Sequence, residues 1–376
     1  MRAVLLANLF VLFWTTAAFA QKVGDRIIVV TYSAVIDEAK VSSPVYRGTV
    51  LKIEQIKGES YWVHPYDKKG WIHSEDVIPF DQGIEFFTEE IRKRPNVGDL
   101  VARARIWNEK CEPGKAMQDF DEAVRLDPGA SAYSFRAIEW LFRGEFDKAI
   151  ADQTEAIRLD EVSDSTFQIS SSYLSRGDFW MYKREYDKAI ADYSEAIRVD
   201  PETAGCVYHR RAMAWQAKCD YDKAIADCDE KIRDDPNLSF GYVCRGLVWS
   251  DKGDYDKAIS DFDKAIRLDS TSSRAYDARA WFRATCPSER FRDGAKAIDD
   301  AKKALELWAW NIIPHDIMHT LAAAHAEAGD FQNAVKLQEK AIELTPKWEP
   351  KWENDAYRLQ LDLYKSGMPF RDGPKK

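Results

Sequence analysis

The sequence predicts a mostly helical chain, built as a tandem array of helix hairpins behind a small β-rich region. Three observations carry that prediction. One phrase recurs along the chain, as Phe146-Asp-Lys-Ala-Ile-Ala-Asp, Tyr186-Asp-Lys-Ala-Ile-Ala-Asp, Tyr221-Asp-Lys-Ala-Ile-Ala-Asp and Tyr255-Asp-Lys-Ala-Ile-Ser-Asp. A second phrase, Arg-(Ala/Gly)-x-x-Trp, is coupled to it at Arg103–Trp107, Arg136–Trp140, Arg176–Trp180, Arg211–Trp215 and Arg245–Trp249. Residues 22–80 lack both phrases and instead contain short β-rich runs broken by turn residues.

The central lysines of the first phrase are Lys115, Lys148, Lys188, Lys223 and Lys257, at spacings of 33, 40, 35 and 34. A fixed period in this range marks stacked supersecondary units. The spacing of 40 places an insertion near Glu161–Thr166, where Asp160-Glu161 replaces the usual Asp-Pro. In all five units the Trp lies eight residues before the Lys. An aromatic stands three residues before the Arg at Tyr133, Tyr173, Tyr208, Tyr242 and Tyr276, with Leu100 in the first unit. Aromatic, small residue and Trp therefore share one helical face. The small residue (Ala104, Ala137, Gly177, Ala212, Gly246, Ala280) lets a neighbouring backbone approach, and Ala116, Ala149, Ala189, Ala224 and Ala258 do the same from the next helix. Asp-Pro at 127–128, 200–201 and 235–236 then stops that helix.

These landmarks resemble the tetratricopeptide repeat, over residues 97–346 and about seven units. The resemblance implies a right-handed superhelix whose first helices line a concave surface. Residues 81–96 read as a connecting helix, a degenerate half repeat, and residues 347–376 as a capping helix (Trp352–Lys365) and tail. Two positions depart from the pattern. Lys231 stands where other repeats carry Ala123, Ala156, Ala196 or Ala265, and unit six inserts residues between its helices in Ala280–Gly294. That phrase and Thr320–Phe331 look like the C-terminal half of exported bacterial proteins of unassigned activity.

The β-rich part, residues 21–80, has runs at Arg26–Tyr32, Val45–Ile56 and Ser60–His64, and about five short strands suggest a small closed barrel. Lys69-Gly70-Trp71-Ile72-His73 and Arg47-Gly48-Thr49-Val50-Leu51 resemble a bacterial SH3-like domain. Residues 1–20 carry Arg2, an apolar run from Val4 to Trp14, and Ala18-Phe19-Ala20. They are expected to be a signal peptide cleaved after Ala20, giving a secreted or periplasmic protein with no membrane span after cleavage.

Several function classes fall away. A net charge of −9 disfavours nucleic acid and anionic membrane surfaces, which need basic protein faces. Cys111, Cys206, Cys219, Cys228, Cys244 and Cys286 are even in number, so export would permit disulfides; pairing among Cys206, Cys219, Cys228 and Cys244 stays open. His315 and His319 are spaced to share a helical face, as chelating histidines do, yet a solvated helix face is the stronger reading; His325 takes the place of a packing Trp. The repeated Asp152, Asp192, Asp227 and Asp261 fit solvated or interhelical ion-pairing positions, and no Asp-x-Asp-x-Asp-Gly loop is present. A Cys–His hydrolase needs a separate domain, for which no chain is left over. No catalytic residues, cofactor or metal are expected.

The expectation is a non-enzymatic scaffold that binds a protein or peptide in the concave groove. By the repeat pattern its lining is Leu174, Asp178, Met181, His209, Met213, Gln216, Val243, Leu247 and Ser250. The alternative partner is cell-wall material, read by Tyr61, Trp62, Tyr66 or Trp71 of the β region, with Trp71 better explained by core packing.

Overall fold

The computed structural model describes residues 22–31, 33–36, 42–63, 70–163, 165–202, 204–308, 315–345 and 351–373; the expected leader and Tyr66 lie outside them. The described chain is mostly helical and divides into two compact units, with the boundary at Glu139.

The first unit opens with eight short strands: β1 (Arg26–Val29), β2 (Ser33–Ile36), β3 (Ser42–Val45), β4 (Val50–Lys52), β5 (Gln55–Lys57), β6 (Ser60–Val63), β7 (Gly70–His73) and β8 (Val77–Pro79). They form two antiparallel sheets, in the orders β4-β1-β8 and β3-β2-β7-β6-β5. The run expected over Val45–Ile56 is thus split between sheets. Gly48 breaks it, at a φ of +83° that only glycine adopts at little cost. Inward residues from both sheets (Ile27, Val29, Val45, Leu51, Ile53, Tyr61, Val63, Ile72, Val77) make one apolar core.

The outward residues Ile28 and Val30 continue into a second core with Phe87, Ala102 and Ile106. Those three belong to α1 (Gly83–Lys93) and α2 (Val97–Glu109), so the β region and the first helices share a core within one compact unit. Arg47 seals the junction. Its Nε donates to Asp99 at 2.7 Å, and its guanidinium lies 5.6 and 5.3 Å from the rings of Phe86 and Phe87. Next to it, a Cβ on Gly48 would stand 2.5 Å from that of Ala102, so only glycine allows the approach.

The helices follow in chain order: α2 pairs with α3 (Pro113–Leu126), then come α4 (Ala130–Phe142) and α5 (Phe146–Ser163), after which α6 (Thr166–Tyr182) pairs with α7 (Tyr186–Val199) and α8 (Gly205–Ala217) with α9 (Tyr221–Asp234). After them come α10 (Ser239–Lys252) with α11 (Tyr255–Leu268), α12 (Ser273–Thr285) with α13 (Gly294–Leu307), and α14 (His315–Glu327) with α15 (Phe331–Leu344), closed by α16 (Lys351–Lys365). The second helices α3, α7 and α9 end immediately before or at the Asp of Asp-Pro, as the sequence predicts. Without that proline α5 runs on to 18 residues against 14 for α7, so the insertion lengthens a helix rather than a loop.

Each recurrent residue now has a partner. The Arg of Arg-small-x-x-Trp makes a bidentate bond to the last Asp of the other phrase: Arg103 to Asp119, Arg176 to Asp192, Arg211 to Asp227 and Arg245 to Asp261, all at 2.6–2.9 Å. The same guanidinium reaches the preceding second helix, at Thr88, Thr154, Ser194 and Asp229 respectively. The eight-residue spacing of Trp and Lys places each ammonium over an indole, at 4.5 Å for Lys115 on Trp107 and 4.1 Å for Lys257 on Trp249. Four residues after the Trp the chain must turn left-handed, and Cys111, Gly144, Arg184, Cys219 and Gly253 all show positive φ there.

The small residue faces the ring that follows the Asp. A Cβ on Gly177 would lie 2.5 Å from the ring of Tyr193, and one on Gly246 2.7 Å from Phe262. Two substitutions test these positions by thermal melting. Gly177→Ala is expected to cost about 1–3 kcal/mol through overpacking. Cys219→Gly is expected to gain roughly 0.5–1 kcal/mol, because it relieves a left-handed non-glycine residue at some cost in chain entropy.

Candidate functional site

Within the second unit the first helices α6, α8, α10, α12 and α14 touch one another in succession. Among the described residues no two successive second helices approach as closely. The first helices therefore line the inner side of this unit. Three positions on each helix face that side by register: the residue after the Tyr, and those two and five after the Arg. They are Leu174, Asp178 and Met181 on α6, His209, Met213 and Gln216 on α8, and Val243, Leu247 and Ser250 on α10.

The structure divides these nine. Met213 and Leu247 stand exposed, at 53% and 37%. Leu174 and Met181 are partly buried against Ile190, Tyr193 and Val207. Val243 is a correction to the expected lining: it is fully buried against Ala258, Phe262, Ala275 and Phe282 and cannot meet a ligand. This register position of α10 lies in the joint with α11 and α12, whose residues enclose it. Ser250 is half-buried near the end of α10, where its carbonyl accepts from the N–H of Gly253.

The polar members form bridges between repeats. Asp178 accepts from the Tyr193 hydroxyl at 2.7 Å and from Arg210. Burial pushes the Asp178 carboxyl up from its usual range, while Arg210 and Tyr193 pull it down. Gln216 donates to Asp251 at 3.0 Å. His209 packs edge-on against Phe240 at 5.0 Å, and its buried Nδ1 has no hydrogen-bond partner. Burial, with the charges of Arg210, Lys231 and Arg274, pushes its pKa down to about 4, so the imidazole is neutral at pH 7.

Lys231, the residue out of pattern, explains part of this. It is buried where other repeats have alanine, and its ammonium donates to the carbonyl of Gly205 at 2.7 Å. Sequence reasoning saw the anomaly without its partner. It also missed Trp281, although Trp281 stands two residues after Arg279, on the register of Met213 and Leu247. Extending that register one hairpin further would have found it.

The other candidates resolve differently. His319 is buried rather than solvated; its Nδ1 lies 3.0 Å from Gln338 Oε1, and its ring stacks on Tyr357 at 4.2 Å. His315 pairs with Asp316 at 3.0 Å. No group of three or more metal-ligating side chains occurs among the described residues. All six thiols are free, and burial pushes those of Cys228 and Cys244 up, the latter to about 11. In the β region Tyr61 is core, whereas Trp62 and Trp71 are half-buried on the opposite face and meet edge-on at 5.2 Å.

An array of stapled helix hairpins with an inner face of first helices defines a helical-repeat solenoid. Tetratricopeptide repeat models match residues 170–203, 239–272 and 316–345, which are the hairpins α6/α7, α10/α11 and α14/α15. The helical part thus has a tetratricopeptide-repeat-like solenoid fold, with three of its hairpins matched by the repeat models. Its fold is similar to that of yeast Tom70, with a TM-score of 0.55 at 20% identity over 76% of this chain and 59% of that one. It is also similar to a tetratricopeptide repeat protein from Parabacteroides merdae, with a TM-score of 0.54 at 15% identity over 72% of this chain and 98% of that one. The chain thus spans less than two thirds of the yeast protein. No curated protein sequence matches it.

The buried histidine gives a pH test. Burial lowers the pKa of His319 from 6.5 to about 4, so the unfolded chain binds more protons between those values. Stability from this group is then complete above pH 6.5 and falls as pH drops towards 4, by up to about 3 kcal/mol. Urea titrations of the protein and of His319→Gln across this window should differ by that slope; parallel curves would refute it.

Proposed function

We propose that this protein is a non-catalytic scaffold, exported from the cytoplasm, that holds an extended or helical segment of a partner on the inner face of α6, α8 and α10. Tetratricopeptide repeats as a class mediate protein and peptide binding. The observation that carries the reading is the exposure of Met213 and Leu247 on that face. Two large apolar side chains stand at one register in consecutive repeats, flanked by the fixed polar pairs Asp178–Arg210 and Gln216–Asp251. Apolar anchors between immobilised polar groups suit a peptide whose backbone is oriented by hydrogen bonds.

Export rests on the leader-like residues 1–20; among the described residues no helix is long and apolar enough to cross a membrane. One observation favours a second reader. The half-buried Trp62–Trp71 pair, with Lys57 at 6.0 Å from Trp71, offers an aromatic patch with a neighbouring cation suited to cell-wall material.

Met213→Glu/Leu247→Glu and, separately, Trp62→Ala are to be compared with the full chain in co-purification from envelope extracts and in sedimentation with purified cell wall. The groove reading expects the double variant, with an unchanged melting profile, to lose its co-purifying proteins by tenfold or more. Retention of all of them would reject it. Loss of wall binding in Trp62→Ala alone would support the second reader.

A further inference from the structure

After α16 the chain reverses at Gly367, with a φ of +72°, and residues 368–373 return towards α12 without regular secondary structure. Their contacts fall on the inner register of the sixth hairpin. The Phe370 ring lies 5.9 Å from that of Trp281, and Trp281 Nε1 donates to Asp372 Oδ2 at 2.8 Å. The Asp372 N–H donates to the carbonyl of Thr285 at 2.9 Å. Arg371 Nη1 reaches the carbonyl of Ala284, itself an inner position, at 3.4 Å, and Nη2 stands 2.6 Å from Glu327. An aromatic contact, a backbone hydrogen bond and an ion pair on consecutive residues are the components of extended-peptide recognition.

A second observation gives these contacts a sequence. Phe-Arg-Asp-Gly occurs twice in the chain, as Phe291–Gly294 in the inserted loop and as Phe370–Gly373 in the tail. In the first copy Arg292 Nε donates to Glu327 Oε1 at 3.0 Å, and its Nη1 donates to the carbonyls of Cys286 and Pro287. Two arginines, each following a phenylalanine, thus meet the two oxygens of one carboxylate that is only 14% exposed. Phe291 packs at 5.7 Å from Phe282. One copy of the motif is built into the array, and the other arrives on a tether.

We propose that the tail is an internal ligand of the inner face, and that the partner displacing it is an extended segment with the order aromatic, arginine, aspartate. This rests on the inner face being the binding surface. A short tether holds such a tail at an effective concentration in the millimolar range. A partner of the same chemistry therefore wins only by adding contacts further along the face, where Met213 and Leu247 stand exposed. The tail sets a threshold that admits long, multi-point ligands and excludes isolated short motifs.

The test is a titration of fluorescent Met-Pro-Phe-Arg-Asp-Gly into the full chain and into a chain ending at Ser366. The shorter chain is expected to bind the peptide at least tenfold more tightly. Alanine for arginine in the peptide, or Glu327→Gln in the protein, should abolish that gain. Should truncation unfold the last hairpin, the full chain with Phe370→Ala/Arg371→Ala/Asp372→Ala keeps the tail present but unanchored and should bind equally well. If neither folded variant takes up the peptide at about millimolar concentration, the tail is a cap on the end of α12 and the proposal is overturned. Peptide binding together with unchanged partners of Met213→Glu/Leu247→Glu upholds the tail as a ligand and removes only the groove reading. Lost partners without peptide binding do the reverse.

Discussion

The array depends on one interaction, the arginine–aspartate fork that ties the two helices of a hairpin together and to the helix before them. The five forks with both members within one unit run from Arg103–Asp119 to Arg279–Asp300, and their aspartates are 7–9% exposed. A half-buried ion pair adds little net stability over a well-packed apolar pair, because desolvation offsets most of its attraction. What it contributes is register. A planar guanidinium satisfies the carboxylate and a neighbouring oxygen in only one relative position of three helices. Slipping a helix by one turn would strand a largely buried carboxylate, at a cost of about 3–5 kcal/mol. The alanines and glycines around the fork allow close approach; the fork decides where the approach occurs.

That logic explains what could be read from the sequence. The hairpins, their boundaries at Asp-Pro and the divergent sixth unit were all legible, because each is encoded locally and then repeated. Repetition also marked the Arg-small-x-x-Trp faces as packing features before any partner was known. The β region was less legible. Its eight strands are three or four residues long, and Gly48 redirects the chain for the sake of Ala102, some fifty residues away. Nothing local records that approach. The inner face was legible as a register but not as a surface. Val243 and Met213 stand on the same inner face by spacing, yet Val243 is buried against the next hairpins and Met213 is exposed, a difference made by contacts between repeats that spacing does not record.

Polar groups on the inner side are arranged to stay put. Asp178 is held between a tyrosine and an arginine, and Gln216 is bound to the next hairpin's Asp251. Burial, reinforced by the cations around it, keeps the His209 ring neutral, so this group does not change charge over the neutral range. Fixed polar groups lose little entropy when a ligand arrives, and that favours selectivity over breadth. The apolar side chains between them, methionine and leucine, supply the adaptable part.

The sixth hairpin shows how little the stacking depends on chain length between the helices. Arg279 meets Asp300 at 2.7 Å across 21 residues, whereas the same fork elsewhere spans 16. The additional residues form a short turn at Glu289–Phe291 beside the array, and α13 docks in the ordinary way. A solenoid stapled through space rather than counted along its backbone can accept new sequence at a hairpin bend without losing its pitch. The bend after α12 is therefore a natural splice point, the place where such an array can acquire or be given a new loop while every neighbouring repeat stays in phase.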